Sequence, residues 1–323
     1  MENKKRMDYI DFCKVFAMFM VTMAHCAQCL SGEQFPSLLV SKDSFISVNM
    51  AIFMIASGFV MNIDKMRSTK IGAYVLSKTF RLLIPMTTWY LICSFITKHF
   101  SLSQYWSFYW YLSALFLCLL TVKLLAYINS NTNGLFLLSV LFLSLIPLIE
   151  FERSCYMIPF LWVGYALRSF IDRIGIPCLI FLIIFYSILY YFWDVSYSIY
   201  LSPFHIWEVN VQSLFAFLYR FSIGTVGGVA FISFIRILMV NKNLIWMKYI
   251  SQYGSYTLVF YTMSFILNAI LARIIWHFNF NITTPGLLDL LSFVISLLMM
   301  VLMYYFQIVV AKNKFMSAIF LGK

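Results

Sequence analysis

Three ionisable side chains share one long apolar run near the start of the chain. Asp11, Lys14 and His25 lie within residues 10–30, a stretch long enough to cross a bilayer as a helix. An ionisable group at membrane depth costs about 2.5–3.5 kcal/mol on insertion scales, so its presence points to a function. Lys14 and His25 are eleven residues apart. At about 100° per residue that spacing returns to within about 20° of the same face, roughly 16 Å along the axis. Thr22 and Gln28, three residues either side of His25, fall near that face, as does Asp11. An imidazole can take a proton from a hydroxyl or carry a group as a nucleophile. An ammonium can hold an anionic substrate or stabilise developing negative charge, and Asp11 can orient it as an ion pair. Being about 16 Å apart, Lys14 and His25 act at different points of an elongated substrate, or the helix bends. The plainer readings are an interhelical hydrogen bond for His25 and a snorkelling anchor for Lys14.

Residues 64–81 are the most basic segment, with Lys65, Arg67, Lys70, Lys78 and Arg81. Clustered cations of this kind recognise phosphate; they also serve as topology anchors. Lys78 and Arg81 are spaced to share a helical face at the membrane entrance, ahead of Pro85. Ser57-Gly58 marks a close helix approach or a local break. Around Trp110 the aromatic run 106–111 suits an interfacial belt or a platform for sugar rings. Arg220, inside a later apolar run, must find a carboxylate, carbonyls or water and is expected to face a central cavity. His205 and Glu208 stand in the longest outer loop, as solvated residues or as acceptor contacts. His25-Cys26-x-x-Cys29 has no second ligand pair at zinc spacing, so no metal is expected.

The elements that must position these residues follow from composition. The 323 residues are 63% hydrophobic and 11% charged, unlike a soluble globular chain. Recurrent apolar runs predict an all-α, polytopic membrane helical bundle. About ten transmembrane helices are expected, near 9–30, 43–63, 79–98, 107–128, 134–150, 154–171, 175–193, 211–238, 254–276 and 286–310. Together they form a single integral-membrane domain over 1–323. The first run reads as a retained span, because it carries the polar stripe and no small-residue cleavage site. With the N-terminus inside, seventeen Lys and Arg fall on the inner side and four on the outer. That asymmetry places both termini in the cytoplasm. The net charge of +11 is spread over helix ends rather than gathered in one patch, which argues against nucleic acid as a partner. The seven cysteines sit mostly within spans and read as small hydrophobes.

In order along the chain, these motifs resemble the integral-membrane acyltransferase-3 family. Asp11, Lys14, Ala17, Val21 and His25 stand in the register of its first-span signature. Phe53 to Phe59 matches its Phe-rich Ser-Gly-Phe ending, and Lys78, Arg81 and Pro85 its basic-x-x-Arg then Pro. Trp110, Leu112, Ala114 and Leu115 match a Trp-Phe-Leu-x-Ala-Leu-like stretch. Gly254, Thr257, Leu258 and Tyr261 match the late Gly-x-x-Ser/Thr-Leu-x-x-Tyr. Lysine rather than arginine at position 14 is similar to the fucose O-acetylase-like branch. Met263 and Ser264 stand where relatives often carry a second histidine. The resemblance implies a ten-span bundle and transfer of an acyl group, usually acetyl, from cytoplasmic acyl-CoA to a sugar hydroxyl of a cell-surface or exported polysaccharide. The enzyme is then expected in the cell inner membrane. Its catalytic residues would be His25, Lys14 and Asp11. Lys78, Arg81, Arg67 and Lys70 would bind acetyl-CoA or another acyl-CoA, and Trp110, Arg220, Tyr261 and Ser57 the substrate. The reading from another class is a transporter or flippase in which the same intramembrane charges line a pathway, although no inverted-repeat signature accompanies them.

Overall fold

The computed structural model describes residues 7–31, 40–98, 100–101, 105–128, 131–146, 149–193, 211–242, 244–278, 282 and 284–322. His205 and Glu208 lie outside them. Among the described residues there are helices and no strand. The longer elements are α1 (Asp8–Ser31), α2 (Val40–Phe59), α3 (Ile63–Ser68), α4 (Ile71–Lys78), α5 (Ile84–Thr97), α6 (Tyr105–Phe108) and α7 (Trp110–Ile128). They continue with α8 (Thr132–Ser144), α9 (Ile149–Phe170), α10 (Ile176–Tyr191), α11 (Val211–Lys242), α12 (Ile245–Ser251), α13 (Thr257–His277) and α14 (Pro285–Ala311).

Among the described residues, six stretches are long and apolar enough to cross a membrane: Asp8–Ser31, Ile71–Thr97, Trp110–Ile128, Val211–Lys242, Ile245–His277 and Gly286–Ala311. Shorter apolar helices run over Ser47–Phe59, Gly134–Ser144 and Ile176–Tyr191. Many large apolar side chains, such as Phe181, Ile184, Leu298 and Leu302, point outward. In water such a surface would be a liability, whereas lipid is its natural solvent.

The polar stripe belongs to the most enclosed helix. α1 packs against α2, α11, α12, α13 and α14, and Met18, Val21 and Cys26, on different sides of it, are all buried. It contains neither Gly nor Pro, and Asp8 and Asp11 stand in its first turn, where the positive end of the helix dipole favours them.

α2 and α9 cross at backbone contact. A Cβ on Gly58 would lie 1.7 Å from the Leu161 carbonyl oxygen, and one on Gly164 would lie 1.9 Å from that of Ile55. The Ser57-Gly58 pair is therefore half of a reciprocal glycine crossing, the form of close approach that small residues permit in membranes.

The basic segment is folded rather than a loop. Asn62 caps α3 by accepting from the Lys65 amide at 2.9 Å, and α4 leads into a π-helical turn, Thr79–Leu83. Pro85 follows inside the first turn of α5. Lacking an N–H, it cannot donate into the preceding turn, which favours a local change of helical pitch there. Insertions of this type recur at functional sites, and this one carries Arg81.

Candidate active site

A cavity of about 880 Å³ opens between α1, α2, α3, α4, the π-helical turn, α7 and the start of α13. Each wall brings one motif. α1 contributes Asp11 and Lys14, whose Nζ lies 3.4 Å from Asp11 Oδ1. α2 contributes Ser57, its hydroxyl held by the Phe53 carbonyl at 2.8 Å. The basic segment contributes Lys65, Lys78 and Arg81, and α13 contributes Tyr261. Lys78 Nζ stands 5.3 Å from the centre of the Tyr74 ring, within range of a cation–π contact. Gly254 lies in the short 3₁₀ turn before α13, where a Cβ would come 2.4 Å from Asp11 Cβ. The late motif thus has a glycine because its backbone seats directly on the helix bearing Asp11 and Lys14.

The remaining sequence-predicted residues lie elsewhere. His25 is half-buried on the same α1, three turns further along. Its ring centre is 5.2 Å from that of Phe265. It does not line the cavity. Arg67 lies 3.6 Å from Asp64, and Lys70 is exposed at the N-cap of α4; neither lines the cavity. Trp110 is buried (4% exposed) edge-on against Tyr111, so it is Tyr111 and Leu112 that face the cavity. Arg220 is buried in α11 with its guanidinium 5.0 Å from the Tyr156 ring centre, away from the cavity lining.

Two lysines matter more to the site than their sequence context suggests. Lys65 reaches the cavity, although it is one of several similar cations in its segment. Lys123 carries no exposed surface at all. Its ammonium donates to the carbonyls of Met66 and, at 2.6 Å, Thr69. The carbonyls ending a helix have no partner within it, and Lys123 supplies one from α7. It thereby pins α3, with Lys65, Met66 and Thr69, to the cavity wall. Its position one helical turn from the end of α7 reads as a topology signal in sequence; only the packing of α3 on α7 shows otherwise.

Chemically, the cavity combines four cations, Lys14, Lys65, Lys78 and Arg81, with hydroxyl and amide groups of Ser57, Asn62, Ser77, Ser255 and Thr257. Its volume is within the range of small-molecule sites. Such a lining, basic and hydroxyl-bearing, has the chemistry to hold an anionic ligand. Among the described residues no group of three or more His, Cys, Asp or Glu could hold a metal ion. No curated protein and no solved structure matches the chain. A family model described as an acyltransferase domain matches residues 7–305. That match runs from the start of α1 into α14 and includes every wall of the cavity except its last residues, and by it the chain belongs to the acyltransferase-3 family, as a membrane acyltransferase.

Proposed function

We propose that the protein is an O-acyltransferase of the cell inner membrane. It moves an acyl group, acetyl in the first instance, from cytoplasmic acyl-CoA to a sugar hydroxyl of an exported or cell-surface polysaccharide. The observation that carries this reading is the cavity: it gathers Lys14, Lys78 and Arg81 beside the helix whose far end bears His25. Both termini lie on the cytoplasmic side, where coenzyme A is found, and so does the basic rim.

Distance divides the labour. Lys14 and His25 are about 16 Å apart on one unbroken helix, too far for both to serve one reacting carbonyl. Lys14, oriented by Asp11, holds the donor, while Lys65, Lys78 and Arg81 engage its phosphates through charge-assisted hydrogen bonds. Ser57 and Tyr261 line the path inward. His25 takes the proton from the acceptor hydroxyl as the oxygen attacks the thioester carbonyl carbon. The carbon–sulfur bond breaks, the thiolate leaves, and the proton held by His25 returns to it. Lysine at position 14 makes a fucose-like sugar the first acceptor to test.

The test is the base-labile acyl content of surface polysaccharide from cells with the intact gene, a deletion, or His25→Ala. Ester-linked acyl groups are expected with the first and absent with the other two, while the variant protein is still found in the membrane at normal level. Unchanged acylation with His25→Ala would overturn the assignment of the base. Unchanged acylation in the deletion, with altered polysaccharide export, would overturn the reading as a whole.

A further inference from the structure

α13 runs parallel to α1, and matched residues fix their alignment. Gly254, just before α13, sits on Asp11. Cys26, next to His25, donates its thiol to Asn268 Oδ1 at 3.3 Å. Between these two points α13 carries Tyr261 and Phe265, one helical turn apart. The Tyr261 ring faces the cavity and is 5.3 Å from the ring of Phe265, centre to centre. Phe265 in turn is 5.2 Å from the imidazole of His25. Tyr109 and Phe108 back this ring at 5.2 and 5.3 Å. A layer of aromatic rings therefore stands between the cavity that holds the cations and the histidine that lies beyond it.

The rings of this layer are not equally fixed. Tyr109 is fully buried and donates its hydroxyl to the Thr262 carbonyl at 3.1 Å. Tyr111 and Tyr261 are also buried, packed against each other at 5.7 Å. Phe265, like Phe108, is half-buried and has no polar atom to tether it. Of these rings it is the one against His25. An acyl carbon attacked by a hydroxyl activated at His25 must come within about 3–3.5 Å of the attacking oxygen. That places the carbonyl at the His25 face of Phe265, and any methylene beyond the first carbon of the acyl group runs against the ring.

We propose that Phe265 is the acyl-size selector of the site: its ring separates the donor cavity from His25 and limits the length of acyl group that can reach the imidazole. This rests on the acyl transfer proposed above. The ring does no chemistry itself. It sets which donors place their carbonyl correctly, and one methylene in an apolar pocket is worth about 10–200-fold in discrimination.

The experiment uses sealed inside-out membrane vesicles from cells that express the full chain and contain their own acceptor. They are supplied with acetyl-, propionyl- or butyryl-CoA, and acids released from the glycan by mild alkali are measured. Phe265→Ala is expected to raise the ratio of butyryl to acetyl transfer by about tenfold or more, and Phe265→Trp to lower the ratio of propionyl to acetyl. Ratios equal to wild type in both variants would overturn the proposal. Phe265→Leu is measured alongside. Loss of all transfer in Phe265→Ala and Phe265→Leu, with thermal stabilisation by coenzyme A intact, would also overturn it, because the ring would then be needed for the reaction rather than for its selectivity. If wild-type vesicles transfer nothing from any donor, the acyltransferase reading itself fails and takes the selector with it.

Discussion

At the scale of single residues, the site separates cations by what surrounds them. Lys14 is tied to Asp11 at 3.4 Å, Arg67 lies beside Asp64, and Lys123 is committed to backbone carbonyls. Arg81, by contrast, is exposed at the cavity edge, where a guanidinium can grip a phosphate with two parallel bonds. A hydrogen bond to a charged group contributes about 1.5–3 kcal/mol, which is about 10- to 100-fold in affinity. Arg81→Ala is therefore expected to raise KM for acyl-CoA at least several-fold and to leave the dependence on acceptor nearly unchanged. Steady-state rates with each substrate varied in turn provide the check. An unaltered donor KM would reduce Arg81 to a topology anchor.

At the scale of elements, the cavity depends on α3 and α4 being held as a wall. α3 has only six residues and could not persist alone, since isolated helices that short do not overcome nucleation. Its support comes from Asn62 at one end and Lys123 at the other. Replacing Lys123 with Met keeps the apolar stem but removes the donor from the buried Met66 carbonyl, at about 1–3 kcal/mol, and from the part-buried Thr69 carbonyl. Lys123→Met is expected to lower the thermal midpoint by several degrees and to raise donor KM through displacement of Lys65 and Thr69. Scanning the purified variant with and without coenzyme A would show both effects; a normal midpoint with normal coenzyme A stabilisation would mean that α3 is held by other contacts. This element also shows what a linear sequence can and cannot display. The stripe Asp11–Lys14–His25 is legible because helical periodicity is a property of one segment. Asp11, Lys14, Ser57, Lys78, Arg81 and Tyr261, each within one of the motifs, line a common cavity. Which of Lys65, Arg67 and Lys70 faces inward depends on how α3 seats against α7, a tertiary fact with no periodic signature. The same holds for Trp110 and Tyr111: adjacent aromatics on one helix point different ways, and only neighbouring helices decide which meets the cavity. Arg220 illustrates the converse, because a buried guanidinium finds an aromatic face as readily as a substrate.

At the scale of the whole molecule, the arrangement is polar along the axis of α1. Lys14 and the basic rim occupy the end near the start of the helix, and His25 the other, with an aromatic layer between them. The central position of α1, enclosed by α2, α11, α13 and α14, means that a donor reaching His25 has to travel inside the bundle rather than along its surface. Charged groups such as the coenzyme A phosphates are excluded from the bilayer core by several kcal/mol each, so the proposed acyl-CoA donor would enter from water at one end of the bundle, and the cations favour the end that bears them. The proposed orientation puts that face in the cytoplasm. Sealed inside-out vesicles given external acetyl-CoA are then expected to acylate their glycan, and right-side-out vesicles of the same membranes are not, until they are permeabilised. Because a screened charge loses much of its reach above about 0.1–0.15 M salt, the inside-out reaction should also show a donor KM that rises with ionic strength, while its rate at saturating donor stays level. Equal activity from both vesicle types before permeabilisation would overturn donor entry from one side only. Activity confined to right-side-out vesicles would place the cation-lined cavity on the outer face and require a donor other than cytoplasmic acyl-CoA.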